Sequence, residues 1–388
     1  MCKMEFNKII ERRGSACFKY DALKTVYGRE DLIPLWVADM DFAVSDEILK
    51  ALKTRLEHPI FGYNFPNEQF HQSIKNWMDK RFGWDPSALK TISVPSLMTA
   101  LAIAILSLSK TGDKILIQTP VYPPFHSTVV EHSRELLTNP LIRVENRYEV
   151  DWHDFEAKCS RAKMFILCNP HNPVGKVFSR EELQRMHDIC SKHKVLIFSD
   201  EIHADIVYPP FQHIPIASLG PENVITGISP AKSFNLAGLA TAVMFAPRGE
   251  ISRALAAMNE ALHTFMGNSF GIVAFTAAYT KAGYWLDELL TYLQSNRDVL
   301  RNFFANELRE IKMLDCEGTF LAWLDCRQLG MNEAELKDFI TNKAGLALNP
   351  GHTFGQEGQG YMRLNFAVPR PILTEALDRL RTALRDKL

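Results

Sequence analysis

With 388 residues, 46% of them hydrophobic and 23% charged, the chain is long enough for a large core and two domains. A formal net charge of -1 excludes an electrostatic footprint for nucleic acid or a membrane surface, and the longest apolar run, Ala100 to Leu108, is too short to span a bilayer. Seven cysteines (Cys2, Cys17, Cys159, Cys168, Cys190, Cys316, Cys326) make no CxxC pair and twelve histidines follow no metal-ligand spacing, so neither a disulfide framework nor a metal site is expected.

In chain order, the first turns carry Glu5, Lys8, Glu11, Arg12 and Arg13 without an apolar stretch, so no signal peptide is read and a cytoplasmic protein is expected. Leu35–Phe42 (LWVADMDF) reads as an extended segment. Ser45 is placed to cap a helix whose Ile48, Leu49, Leu52 and Leu56 form an apolar face. Phe61-Gly62-Tyr63-Asn64 is expected to turn, leading into an amphipathic helix through Phe70, Ile74, Trp77 and Met78. A short strand at Thr91–Val94 precedes a buried helix over Leu97–Leu108.

From there the alternation is regular. KILIQ (114–118), MFILC (164–168), VLIFS (195–199), VITGIS (224–229) and TAVMFA (241–246) read as short buried strands. Amphipathic helices separate several of them, notably Ser179–His193 with Ser179 as its cap. This pattern implies an α/β fold with a mostly parallel sheet covered on both faces. No G-x-G-x-x-G follows a strand, which argues against a dinucleotide-binding domain. Long helices are expected over 250–310, and Thr319–Asp325 opens a smaller α+β region. The expected division is a large domain over 46–291 and a small one from 1–45 with 292–388.

In an open parallel sheet, ligands bind beyond the carboxyl ends of the strands. Here those ends carry Thr119-Pro120-Val121-Tyr122, Asn169-Pro170-His171-Asn172-Pro173-Val174-Gly175, Asp200-Glu201-Ile202-His203, and Ser229-Pro230-Ala231-Lys232-Ser233-Phe234-Asn235. A lysine between small residues has room for a bulky group above it, and lysine amines form Schiff bases with carbonyl compounds. By itself Lys232 reads equally well as a surface charge. Four successive strands ending in chemically capable residues favour the reactive amine.

N-P-x-N-P-x-G, S-D-E and S-x-x-K followed by F-N-L-A-G-L, in that order, resemble the fold-type-I pyridoxal-phosphate (PLP) enzymes of the aspartate aminotransferase superfamily. Pro34–Phe42, Ser199–His203 and Arg363-Leu364-Asn365 are similar to the cystathionine β-lyase (C–S lyase) branch of MalY/PatB type. The resemblance implies that Lys232 holds PLP and then removes the Cα proton. It implies that Asp200 pairs with the pyridine nitrogen and that Asn172 bonds the ring's 3′-oxygen. It further implies that Tyr122 stacks on the ring and that Arg363 forks onto the substrate α-carboxylate under the Val37-Ala38 backbone. Ser96 and Leu97 would offer N–H groups to the phosphate, with Thr99 and Ser229 adding hydroxyls. Tyr63 matches a tyrosine that reaches the phosphate of a neighbouring subunit, which implies a homodimer with shared active sites.

Structural alternatives stand beside these roles: a helix cap for Asp200, a turn for Asn172, a loop residue for Tyr122, a turn end for Tyr63, and a solvent-facing strand end for Arg363. His203 stands where many relatives carry tyrosine and is read either as a ring or phosphate contact or as a satisfied structural residue. Two departures matter. Ala240 replaces an arginine eight residues after the lysine, and Ser96 replaces a phosphate-turn glycine. The resemblance implies β-elimination from cystathionine, cystine or a related cysteine conjugate. An aminotransferase of L-amino acids is the alternative with the same cofactor, and a ligand-sensing protein on an idle PLP fold is the alternative of another class.

Overall fold

A computed structural model describes residues 4–385, so Cys2 lies outside the described residues. Ser45 accepts a hydrogen bond from the Ile48 N–H and starts helix α1 (Asp46–Glu57). The apolar face of α1 is divided: Ile48 is buried while Leu49 and Leu56 are exposed, because one side alone packs on the helix at Ser269–Lys281. Phe61–Asn64 form no turn. Residues 59–67 run without regular structure between Pro59 and Pro66, whose fixed φ favours extended chain, and Asn67 then caps α2 (Glu68–Phe82).

Strand β1 (Lys90–Val94) leads to α3 (Leu97–Leu108), β2 (Lys114–Thr119), β3 (Glu135–Pro140), β4 (Met164–Cys168), α4 (Arg180–Lys192), β5 (Leu196–Asp200), β6 (Val224–Ile228), α5 (Pro230–Ser233) and β7 (Ala242–Ala246). The seven strands form one sheet in the order β1-β7-β6-β5-β4-β2-β3. Neighbours from β6 to β3 are parallel, and β7 runs antiparallel to both β6 and β1. The edge strand β3 escapes a hydrophobicity reading because its sequence, ELLTNP, is half polar. Along β4 the side chains alternate between two cores, Phe165 and Leu167 into one and Met164, Ile166 and Cys168 into the other. This is the two-sided burial that a run of apolar residues demands.

The 250–310 region is three helices, α6 (Glu250–Ala261), α7 (Ser269–Lys281) and α8 (Gly283–Asn306). Short strands β8 (Lys312–Met313), β9 (Leu321–Asp325), β10 (Asn349–Pro350) and β11 (Tyr361–Asn365) make a second, antiparallel sheet in the order β8-β9-β11-β10, followed by α9 (Arg370–Arg385). Every residue of β9 and β11 is buried. Arg363 therefore lies in mid-strand, opposite Trp323 and Asn349, and not at a solvent-facing strand end. Among the described residues no helix is long and apolar enough to cross a membrane.

One glycine fixes how the first helix meets the sheet. A Cβ at Gly227 in β6 would lie 2.9 Å from the end of the Leu97 side chain, so glycine lets the start of α3 lie close on the strand without shifting that leucine.

Candidate active site

The carboxyl ends of β4, β5 and β6, the start of α3 and the two-residue strand β10 enclose a cleft of about 400 Å³. Into it open Val37, Ala38, Ser96, Leu97, Tyr122, Asn172, Asp200, His203, Ser229, Lys232 and Arg363, which are the expected site residues apart from Thr99 and Tyr63. Tyr63 is 94% exposed and stands away from this chain's cleft.

Lys232 is carried by α5, a single turn started by Ser229 and Pro230. Its Nζ donates to the Ala38 carbonyl at 2.6 Å. Loss of water in the cleft brings its amine down to about 8, helped by the Arg363 charge and opposed by Asp39 and Asp200. The sign is plain: a lowered lysine is neutral, hence nucleophilic, above the lowered value. Reductive methylation of Lys232 in the PLP-free protein, followed by mass mapping, is expected to reach half its limiting rate near pH 8. An ordinary lysine would do so above about pH 10, and that result would contradict the burial described.

Asp200 ends β5. Its Oδ1 accepts the Ile202 N–H at 3.0 Å, so it caps a turn. Its Oδ2 has no protein donor among the described residues. Burial raises this carboxyl to about 6, with Lys232 pulling the other way and Glu201 adding to the rise. A cationic N–H donor at Oδ2 would relieve that penalty.

Arg363 is buried, and desolvation lowers it to about 10. Its Nη1 donates to Asn172 Oδ1 at 3.0 Å, and its Nη2 donates to the Trp36 carbonyl at 2.8 Å and to Asn349 Oδ1 at 2.7 Å. The Nε–H is buried without an acceptor among the described residues. The guanidinium is thus aimed by three acceptors and keeps donor capacity for an anion. Tyr122 precedes the helix Pro123–Glu131 and meets Phe125 edge-on at 5.8 Å.

His203 packs its ring edge on Phe320 at 5.7 Å, and its buried Nδ1 has no partner among the described residues. Desolvation, with Lys232 and Arg363 nearby, holds it well below the ordinary histidine range, so the imidazole is neutral.

Ser96 caps α3: its Oγ accepts the Thr99 N–H at 3.1 Å and pairs with Thr99 Oγ1 at 3.0 Å. The first N–H groups of this twelve-residue helix, Leu97 onward, have no partners within the helix and suit an anion. Ser229 departs from expectation. Its hydroxyl donates to the Thr241 carbonyl at 2.8 Å and accepts the Ala231 N–H at 3.1 Å, so its proton is committed within the protein. Ala240 lies at the cleft wall, and among the described lining residues Lys232 and Arg363 are the only cations.

Asn349 escaped the sequence reading, although Asn349-Pro350 repeats the Asn172-Pro173 dipeptide. The Trp36 carbonyl escaped it because a backbone acceptor leaves no trace in residue type.

A family model for class I and II aminotransferases matches residues 30–380. The chain belongs to this family. The family is PLP-dependent. Cystathionine beta-lyase PatB of Bacillus subtilis (strain 168) is 38% identical over 98% of this chain and 100% of its own length. Protein MalY of Escherichia coli (strain K12) is 31% identical over 98% of this chain and 99% of its own. The crystal structure of cystalysin from Treponema denticola, which contains PLP, is similar with a TM-score of 0.95 at 30% identity, covering 99% of this chain and 100% of that one.

The cleft of this class I and II family member fits PLP on its own chemistry. It offers an amine made reactive by burial, a carboxylate oxygen without a protein donor, and a helix start with free N–H groups.

Proposed function

We propose that the chain is a PLP-dependent C–S β-lyase that cleaves cystathionine, cystine or a related cysteine conjugate. For a thioether such as cystathionine the balance is one amino acid plus water giving one thiol, one pyruvate and one ammonia; for the disulfide cystine a persulfide leaves in place of the thiol. The observation that carries the reading is the single cleft joining the Lys232 amine, the Asp200 carboxylate and the Arg363 guanidinium, in a chain 38% identical to a protein named cystathionine beta-lyase.

PLP, when bound, supplies an electrophilic carbon and an electron sink for the pair left on Cα. Arg363 holds the α-carboxylate through the donors that Asn172, Asn349 and Trp36 leave free. Asp200 Oδ2 would accept from the ring N–H of PLP and keep that proton in place, while Asn172 and Tyr122 would orient the ring. Lys232 Nζ takes the Cα proton and returns it to the departing sulfur. The Val37-Ala38 backbone roofs the carboxylate and excludes water.

Tyr63 reaches the phosphate of a second copy in this reading, making a homodimer with shared sites. Its 94% exposure supports this, as does the run of exposed Leu56, Ile60, Phe61 and Phe65 around it. Residues 46–291 form the large domain and 1–45 with 292–388 the small one, and the enzyme works in the cytoplasm.

Thiol release decides between the lyase and an aminotransferase, since transamination leaves the C–S bond intact. Holoenzyme given cystathionine is expected to release thiol continuously without any keto acid. Turnover that needs a keto acid and frees no thiol would sink the proposal.

A further inference from the structure

Side chains hold the segment Trp36–Phe42 more than strand pairing does. The Trp36 carbonyl accepts from Arg363 at 2.8 Å and the Ala38 carbonyl from Lys232 at 2.6 Å. The carbonyls between and beyond them, of Val37 and Asp39, both accept from Asn365 Nδ2 at 2.6 Å. Alternate carbonyls thus face the two cations of the site and one amide. Asn365 is wholly buried two residues beyond Arg363 on β11, and its Oδ1 accepts the Ala367 N–H at 2.8 Å. With its oxygen taken by a donor, the amide has one orientation, and both its protons go to the loop.

Peptide units are planar, so holding the units on either side leaves the Ala38 carbonyl only the coupled rotation about ψ of Ala38 and φ of Asp39. The far end of the loop is held separately. Asn235 donates to the Met40 carbonyl at 2.9 Å and to the Phe42 carbonyl at 3.0 Å, and Arg12 donates to the Met40 carbonyl at 3.2 Å. Loss of the Asn365 amide therefore leaves the loop attached but releases its Val37–Asp39 portion.

From this arrangement we infer that Asn365 is a positioning residue, setting the Ala38 carbonyl against Lys232 and the Trp36 carbonyl against Arg363. The inference rests on the reading of those two residues given above. Without the amide, the Val37 and Asp39 carbonyls turn toward other donors, and the Ala38 carbonyl turns with them.

The test compares wild type with Asn365→Ala in two assays. In the holoenzyme, kcat/KM for cystathionine is expected to fall about 100-fold, the cost of a small misplacement of reacting groups. In the PLP-free protein, the midpoint for Lys232 methylation is expected to move down, because the ammonium loses its acceptor and a bond to the charged form favours that form. A merely structural role would lower the melting temperature and leave the midpoint where it is. Wild-type kcat/KM from the folded variant, or an unchanged midpoint, overturns the inference. Asn365→Ser keeps the strand pairing, is milder on the core, and carries the same two expectations if the alanine variant fails to fold. A wild-type protein that releases no thiol counts against the proposed function and leaves the midpoint comparison to judge Asn365 alone.

Discussion

Lys232→Ala abolishes turnover, with kcat down by at least about 10⁴-fold, the upper range for a positioned acid-base group alone. The same variant retains no covalently reducible PLP. The effect is expected to be this large because Lys232 is the only lysine among the described lining residues, so no second amine stands ready to replace it. Arg363 is no substitute, since at about 10 its guanidinium remains protonated at neutral pH. The fold should survive, because Lys232 has one hydrogen bond, to Ala38, and alanine suits the one-turn helix α5. Kinetics, circular dichroism and the mass of the borohydride-reduced protein check the three parts. A folded variant that still turns over would reject the assignment of the lysine.

Arg363→Lys is the second large effect. It keeps one positive charge but removes the fork. Asn172, Asn349 and the Trp36 carbonyl together present three acceptors arranged around a guanidinium. A lysine ammonium has three donors in all and a different shape, so satisfying the protein leaves little for a substrate carboxylate. Losing a charge-assisted pair of about 1.5–3 kcal/mol per bond predicts a KM raised about 100-fold, with a smaller fall in kcat. An amine substrate lacking the carboxylate should show no such difference between the two enzymes. Equal KM values for the amino acid in both would contradict the carboxylate site.

Much of this was legible in sequence because side chains marked it. Buried parallel strands are runs of apolar residues, and the ends of β4, β5 and β6 carry polar residues that no core would tolerate without partners. Helix starts at Ser45 and Ser179 were legible for the same reason, since capping is a side-chain property. The polar edge strand β3 was not, because an edge is half solvated and shows no apolar run. The loop over the site was legible only through the resemblance, as Val37-Ala38 backbone over the carboxylate, and the contacts made by the carbonyls of residues 36 to 42 were not. A backbone acceptor is common to every residue type, and only its donors, Arg363, Asn365, Lys232 and Asn235, leave a mark. Ser229 shows the converse limit of residue type: it lines the cleft, but its hydroxyl donates to the Thr241 carbonyl, a partner the sequence does not mark.

The central claim is that the proton Lys232 removes leads to loss of the β-thiolate. Counting pyruvate against active sites tests it most directly. With cystathionine in excess and no keto acid, pyruvate is predicted to accumulate to hundreds of equivalents per site, in step with thiol. No pyruvate and no thiol, with the keto acid of cystathionine formed once per site and again only on addition of a keto acid acceptor, would contradict the account and mark the chain as an aminotransferase.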